Sequence, residues 1–75
     1  MSARSLQIDA TVDAGDGFRV TVRRSGFSGL IVEIFDHAGV VALFHAADLA
    51  EATIRATAAI ADAIAARRRP PASPP

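Results

Sequence analysis

The sequence has no cysteine, tryptophan, tyrosine or lysine, so its eight cationic side chains other than histidine are all arginines. Without cysteine the chain can form neither a disulfide bond nor a metal site with thiolate ligands. Eight acidic residues balance the arginines to a net charge of zero, which argues against a general binder of nucleic acids. Abundant arginine and alanine without lysine are typical of GC-rich coding sequence, which points to a bacterial or phage origin.

A long uncharged apolar run is also missing. The most apolar stretch, residues 49–66, contains Glu51, Arg55 and Asp62, and three charges are too many for a helix that crosses a bilayer. The first residues alternate in polarity and do not have the apolar centre of a signal peptide. We therefore expect a cytoplasmic protein with one domain over residues 1–69, near the lower size limit for a single core, and a disordered proline-rich tail over residues 70–75.

Four segments have the hydrophobic pattern of β-strands. Apolar and polar residues alternate over residues 5–12 and 18–24, whereas residues 30–35 and 40–45 are almost continuously apolar. Glycine-containing turns separate the segments, which favours a four-stranded antiparallel meander in the order 1-2-3-4. The residues expected to face the core share one register: Leu6, Ile8, Ala10, Val12, Phe18, Val20, Val22, Leu30, Val32, Ile34, Val40, Ala42 and Phe44.

The turn between the third and fourth segments, residues 36–39, sets how these two strands pair. A three-residue loop with Gly39 in the left-handed conformation fits the spacing. The expected cross-strand pairs are Val32 with Phe44 and Ile34 with Ala42.

The last third of the sequence predicts one long helix that ends at about Arg69, where two prolines follow. Asp48 is suited to cap its N-terminus, and Glu51 can bond back to the cap. Glu51 and Arg55 are also spaced as an i,i+4 ion pair on a narrow polar face that includes Asp62. The expected core-facing stripe consists of Leu49, Thr53, Ala56, Ile60, Ala63 and Ile64. The predicted fold is therefore an α+β protein of ββββα order, with the helix on one face of the sheet.

The other face of the sheet is expected to remain open and to act as a protein-interaction surface. Strands 3 and 4 would place large apolar side chains there, and charged residues would surround them, as at many interaction sites. Strand 4 is also an edge strand without lysine, proline or an inward charge to prevent pairing. The predicted interaction residues are Ile31, Glu33, Phe35, Val41, Leu43 and His45.

The helix offers a second possible contact between copies of the chain. A flank of small residues around one isoleucine is typical of close helix packing, although the high helix propensity of alanine explains it equally well. The residues concerned are Ile54, Ala58, Ala61 and Ala65.

Nucleic-acid binding is the alternative function. Arginines on the open face and at the end of the helix could contact phosphates, and Phe35 could stack on a base. Neighbouring acidic residues weaken the positive potential. The candidate contacts are Arg19, Arg23, Arg24, Arg67, Arg68 and Arg69.

Catalytic and metal-binding motifs are not evident. His37 and His45 lie at opposite ends of strand 4, roughly 26 Å apart, so they cannot share a metal ion within one copy. A set of serine, histidine and aspartate side chains falls at the same end of the sheet, but turn and helix-cap roles account for it. The set consists of Ser25, Ser28, His45 and Asp48. We expect no catalytic activity, metal or cofactor.

Together these features predict a small non-enzymatic protein that self-associates, most simply as a homodimer, and binds another protein as an inhibitor, adaptor or regulatory accessory protein. Short meanders followed by one helix occur among antitoxins and phage-encoded inhibitors, which is an analogy of fold alone.

Overall fold

The computed structural model describes residues 5–26 and 28–68, which form one antiparallel sheet and one helix. The strands follow one another in the order β1-β2-β3-β4, and the helix comes after them. This is the predicted α+β fold of ββββα order. Arg69 and the predicted proline-rich tail lie outside the described residues. The elements are β1 (Ala10–Gly15), β2 (Phe18–Arg24), β3 (Leu30–Asp36), β4 (Gly39–Ala46) and α1 (Leu49–Arg68).

The first strand begins later than the alternation predicts, because the chain reverses at Asp9. Ile8 bridges Val22 in parallel, whereas Ala10 pairs with the same residue in the antiparallel sense. Asp9 has a φ of 61° and donates its N–H to the carbonyl of Val22 at 2.7 Å. The expected straight strand over residues 5–12 is therefore wrong. Ile8, expected in the core, is 39% exposed, while Leu6 packs against the core.

The pairing of β3 with β4 confirms the predicted register, in which Val32 lies opposite Phe44. The loop, however, contains two residues and not three, because Asp36 pairs with Gly39. The carboxylate of Asp36 accepts hydrogen bonds from the N–H groups of Ala38, at 2.7 Å, and of Gly39, at 3.1 Å. Gly39 adopts a φ of 134°. The shorter loop leaves one extra residue in β4.

That extra residue is Val41, which forms a β-bulge between the pair Phe35–Val40 and the pair Ile34–Ala42. A bulge changes which face the residues before it occupy. Val40 therefore lies beside Phe35 on the open face, where it is 58% exposed. Its predicted place in the core is wrong.

The core lies between the inner face of the sheet and α1. The fully buried residues of the helix are Ala52 and Ala56, and Leu49, Ile60 and Ile64 of the predicted stripe pack against the core while partly buried. Thr53, expected to face the core, is exposed and donates its hydroxyl to the carbonyl of Leu49 at 2.8 Å. The buried residues are Phe18, Val20, Val22, Leu30, Val32, Ile34, Ala46, Ala52 and Ala56.

The N-terminus of α1 is capped as the sequence predicts. Asp48 accepts the N–H of Glu51 at 2.8 Å, and Glu51 reaches back to the N–H of Ala47 at 2.6 Å. The second bond goes to the residue before the cap, not to the cap itself. Arg55 stacks 4.4 Å above the ring of Phe44 and so does not form the predicted pair with Glu51.

Arg67 joins the other end of α1 to both hairpins. Its guanidinium contacts the carboxylate of Asp36 at 3.1 Å and the carbonyl of Asp16 at 3.2 Å, and it lies 4.4 Å above the ring of Phe18. The pKa of Asp36 is held below its usual value, first by the N–H of Ala38 and then by Arg67. One arginine thus covers the end of the core nearest the two turns.

Candidate protein-interaction surface

The open face carries an apolar patch along β3 and β4, which we call the open-face patch. Its most prominent members are on β4: Leu43 is 62% exposed, Val40 58% and Val41 36%. Ile31 and Phe35 on β3 are half-buried beside them. Single exposed apolar side chains are common on protein surfaces, but neighbouring ones on a sheet face are typical of interaction sites.

Cross-strand rows show how polarity changes across this face. One row runs through Thr11, Thr21, Glu33 and Leu43, from β1 to β4. The hydroxyls of the two threonines are hydrogen-bonded to each other at 2.8 Å, and Glu33 is ion-paired with Arg23. The polar half of the face is therefore linked by its own side chains, whereas β4 ends the row with an exposed leucine.

Five of the predicted interaction residues lie together on this face in successive cross-strand pairs. Glu33 lies opposite Leu43, Ile31 lies opposite His45, and Phe35 lies opposite Val40. Val41, the sixth, is the bulge residue next to them. Sequence reasoning missed Val40, because a period-two pattern assigns it to the core and gives no signal for a bulge.

The free edge of β4 is less available for pairing than the sequence indicates. The bulge at Val41 interrupts the regular backbone pattern at one end of the strand. Near the other end, Arg55 donates to the main-chain carbonyl of His45. Bulges and charged side chains are two common ways in which proteins protect sheet edges. The edge is therefore partly protected near both ends, which the sequence pattern did not predict.

Three of the arginines proposed as nucleic-acid contacts face acidic side chains of the chain itself. Arg23 pairs with Glu33, Arg24 lies 3.6 Å from Asp9, and Arg67 is held by the hairpin turns. Three further arginines were proposed. Arg19 lies opposite Asp13 in the sheet, Arg68 is exposed at the end of α1, and Arg69 lies outside the described residues.

The helix residues proposed for an oligomer contact lie on the outward side of α1. At about 100° per residue, Ile54 and Ala58 point roughly opposite to the buried Ala52 and Ala56. Ile54 is 70% exposed. Ala61 and Ala65 are exposed as well, but Ala61 also lines the groove between α1 and the first two strands, so it lies at the border of this side.

The serine, histidine and aspartate residues at the far end of the sheet do not form a catalytic arrangement. Ser25, Ser28 and Asp48 line a shallow depression in which His45 takes no part, and the carboxylate of Asp48 caps α1. Over residues 5–26 and 28–68, acidic and histidine side chains form no group of three that could hold a metal ion.

Within the described part of the chain, no helix combines the length and the apolar character that crossing a membrane requires. Comparisons of the chain with protein-family profiles, with curated proteins and with solved structures found no match.

Proposed function

We propose that this protein is a small non-enzymatic binding module that self-associates through its open-face patch and acts on another protein as an inhibitor, adaptor or regulatory accessory protein. The observation that carries the proposal is the exposure of Leu43 and Val40 at 62% and 58%, next to half-buried Ile31 and Phe35. Burial of one such aliphatic side chain contributes about 1.5–3 kcal/mol. Association would bury these side chains, and this burial would stabilise the dimer.

The structure of β4 favours contact through the face over contact through the edge. A second strand added to β4 would meet the bulge at Val41 and the arginine bound to the carbonyl of His45. Among the residues that the structure describes, none obstructs the open face beside Leu43, which is 62% exposed. The patch has few large side chains, and a standard interface buries roughly 800 Å² on each partner. We therefore expect a reversible contact, as suits a regulatory role.

Leu43→Arg is the sharpest test of the patch. The new arginine would lie opposite Glu33, so an opposite charge is available and the fold should keep its stability. In an interface the charge would be desolvated, which costs several kcal/mol. We expect the dimer association constant to fall by at least about a hundredfold, measured by light scattering or sedimentation at micromolar concentrations.

Ile54→Arg is the matched control, since Ile54 is equally exposed but lies on the outward side of α1. This change should leave the association constant within about twofold of the original. The opposite result, in which Ile54→Arg dissociates the dimer and Leu43→Arg does not, would assign the interface to the helix. A chain that remains monomeric at high micromolar concentration would contradict self-association altogether.

Nucleic-acid binding through arginines is the second candidate, supported by Arg19 on the open face and the exposed Arg68. If it operates, affinity for single-stranded DNA should fall steeply as salt rises, because each neutralised phosphate releases counterions. We expect instead that the protein does not bind nucleic acid and is not retained on heparin or DNA even at low salt. The reason is that Arg23, Arg24 and Arg67 already face carboxylates. Strong retention that is lost in Arg19→Ala would favour the nucleic-acid function.

A further inference from the structure

The N-terminal strap, defined as residues 5–9, folds back over the inner face of the sheet. Leu6 packs against the core and forms part of the wall of an inner groove of about 210 Å³ between α1 and the first two strands. The groove is lined mainly by apolar atoms of Ala14, Val20, Ile60 and Ile64. The strap itself therefore supplies one apolar side chain to the wall of this groove.

Two threonines lie on the helix wall of the groove, but the groove remains apolar in character. Thr53 donates its hydroxyl to the carbonyl of Leu49, and Thr57 donates to the carbonyl of Thr53, both at 2.8 Å. Since both hydroxyl protons are used within the helix, the wall favours hydrocarbon over a polar ligand.

The strap is attached through a left-handed residue. Asp9 has a φ of 61°, a conformation that aspartate adopts more readily than most residues but less readily than glycine. Within residues 5–26 and 28–68, its polar contacts are a hydrogen bond to the Val22 carbonyl and an ion pair at 3.6 Å with the exposed Arg24. Residues 5–12 also alternate in polarity as one uninterrupted strand would require. The local sequence thus favours an extended Asp9, and only tertiary contacts favour the reversal.

We infer that the strap exchanges between two copies of the chain, so that Leu6 of each copy packs against the core beside the inner groove of the other. Exchange keeps the contacts of Leu6 and allows Asp9 to become extended. Short segments attached through a hinge such as Asp9 exchange readily for this reason. The inference rests on the self-association proposed above, but it uses a different surface, on the opposite face of the sheet from the open-face patch.

The hinge can be tested with two substitutions that remove the same carboxylate. Asp9→Gly tolerates a positive φ and should hold the strap on its own copy. Asp9→Val disfavours a positive φ more than aspartate does and should favour exchange. We expect the dimer association constant of Asp9→Val to exceed that of Asp9→Gly by at least about tenfold. Equal constants for the two variants would contradict a hinge at Asp9.

Crosslinking identifies the exchanged segment directly, because the chain has no cysteine of its own. Leu6→Cys and Ala61→Cys, which both line the groove, are introduced into separate chains, and one chain carries a tag. The chains are refolded together and treated with a short bismaleimide. Exchange predicts a mixed covalent dimer. Thr11→Cys, exposed on the open face, replaces Leu6→Cys as the control and should give little product.

The outcomes separate this inference from the proposed function. A mixed Leu6–Ala61 product that persists in the Leu43→Arg background would support exchange even if the patch hypothesis fails. A chain that dimerises by light scattering but gives no such product above the Thr11 control would overturn the exchange and leave the open-face patch as the interface. A chain that stays monomeric even as Asp9→Val would also overturn it.

Discussion

Phe18→Ala is expected to lower the free energy of unfolding by about 3–5 kcal/mol. Among the described residues Phe18 is the largest fully buried side chain, with 0% exposure, and the guanidinium of Arg67 lies 4.4 Å above its ring. Truncation removes the apolar contacts of Phe18 and also the aromatic ring on which the Arg67 guanidinium stacks. A domain of this size is stabilised by only about 0.05–0.15 kcal/mol per residue, so a substantial fraction of the variant should be unfolded at 37 °C.

The measurement is urea denaturation followed by far-ultraviolet circular dichroism, because the chain has neither tryptophan nor tyrosine to report by fluorescence. Phe44→Ala is the matched control. Phe44 is half-buried under Arg55, so its truncation should cost roughly half as much. A loss below about 1 kcal/mol for Phe18→Ala would contradict its placement at the centre of the core.

Gly29→Ala is the second change with a large expected effect, at about 2–5 kcal/mol. Two costs combine at this position. Gly29 has a φ of 81°, and a Cβ atom would lie 2.8 Å from the carbonyl oxygen of Ala46. The contact involves backbone at the end of β4, which cannot rotate away as a side chain could. Accommodating the methyl group would therefore separate β3 from β4 near the start of α1.

Two other glycines separate the two costs. Gly17 has a φ of 83° but open space around the position of a Cβ atom, so Gly17→Ala should lose only about 1–2 kcal/mol. Gly26 has open space and no positive φ, so Gly26→Ala should stay within about 0.5 kcal/mol of the original. Equal losses for Gly17→Ala and Gly29→Ala would show that the Ala46 carbonyl moves aside at little cost.

Phe18, Val20 and Val22 illustrate what the sequence alone determined. Their alternation with polar residues placed β2 between Phe18 and Arg24 and its apolar side in the core, as the structure has it. The helix cap at Asp48 was determined in the same way. Both are local properties, because side-chain direction in a strand and the bonding of the first helical N–H groups depend on neighbours within a few residues.

The exposure of apolar side chains of β4 was also predicted in part. Leu43 and Val41 follow the same alternation, which places them on the face that the helix does not cover. Val40 could not be assigned correctly, since the bulge exists only because Asp36 pairs with Gly39 to form a two-residue loop. A bulge shifts the register of one strand against another, and no period within a single strand records that shift.

The reversal at Asp9 and the positions of Arg55 and Arg67 were decided only by the tertiary structure. Leu6 and Ile8 keep the same alternation whether the chain continues or turns back, so the pattern cannot distinguish the two. The turn forms because the Val22 carbonyl and the groove beside α1 compensate for an unfavourable φ. Likewise, Arg67 meets Asp16 and Asp36 across 51 and 31 residues of sequence. Contacts over such separations depend on how the sheet and helix pack, because only packing brings these groups within reach of one another.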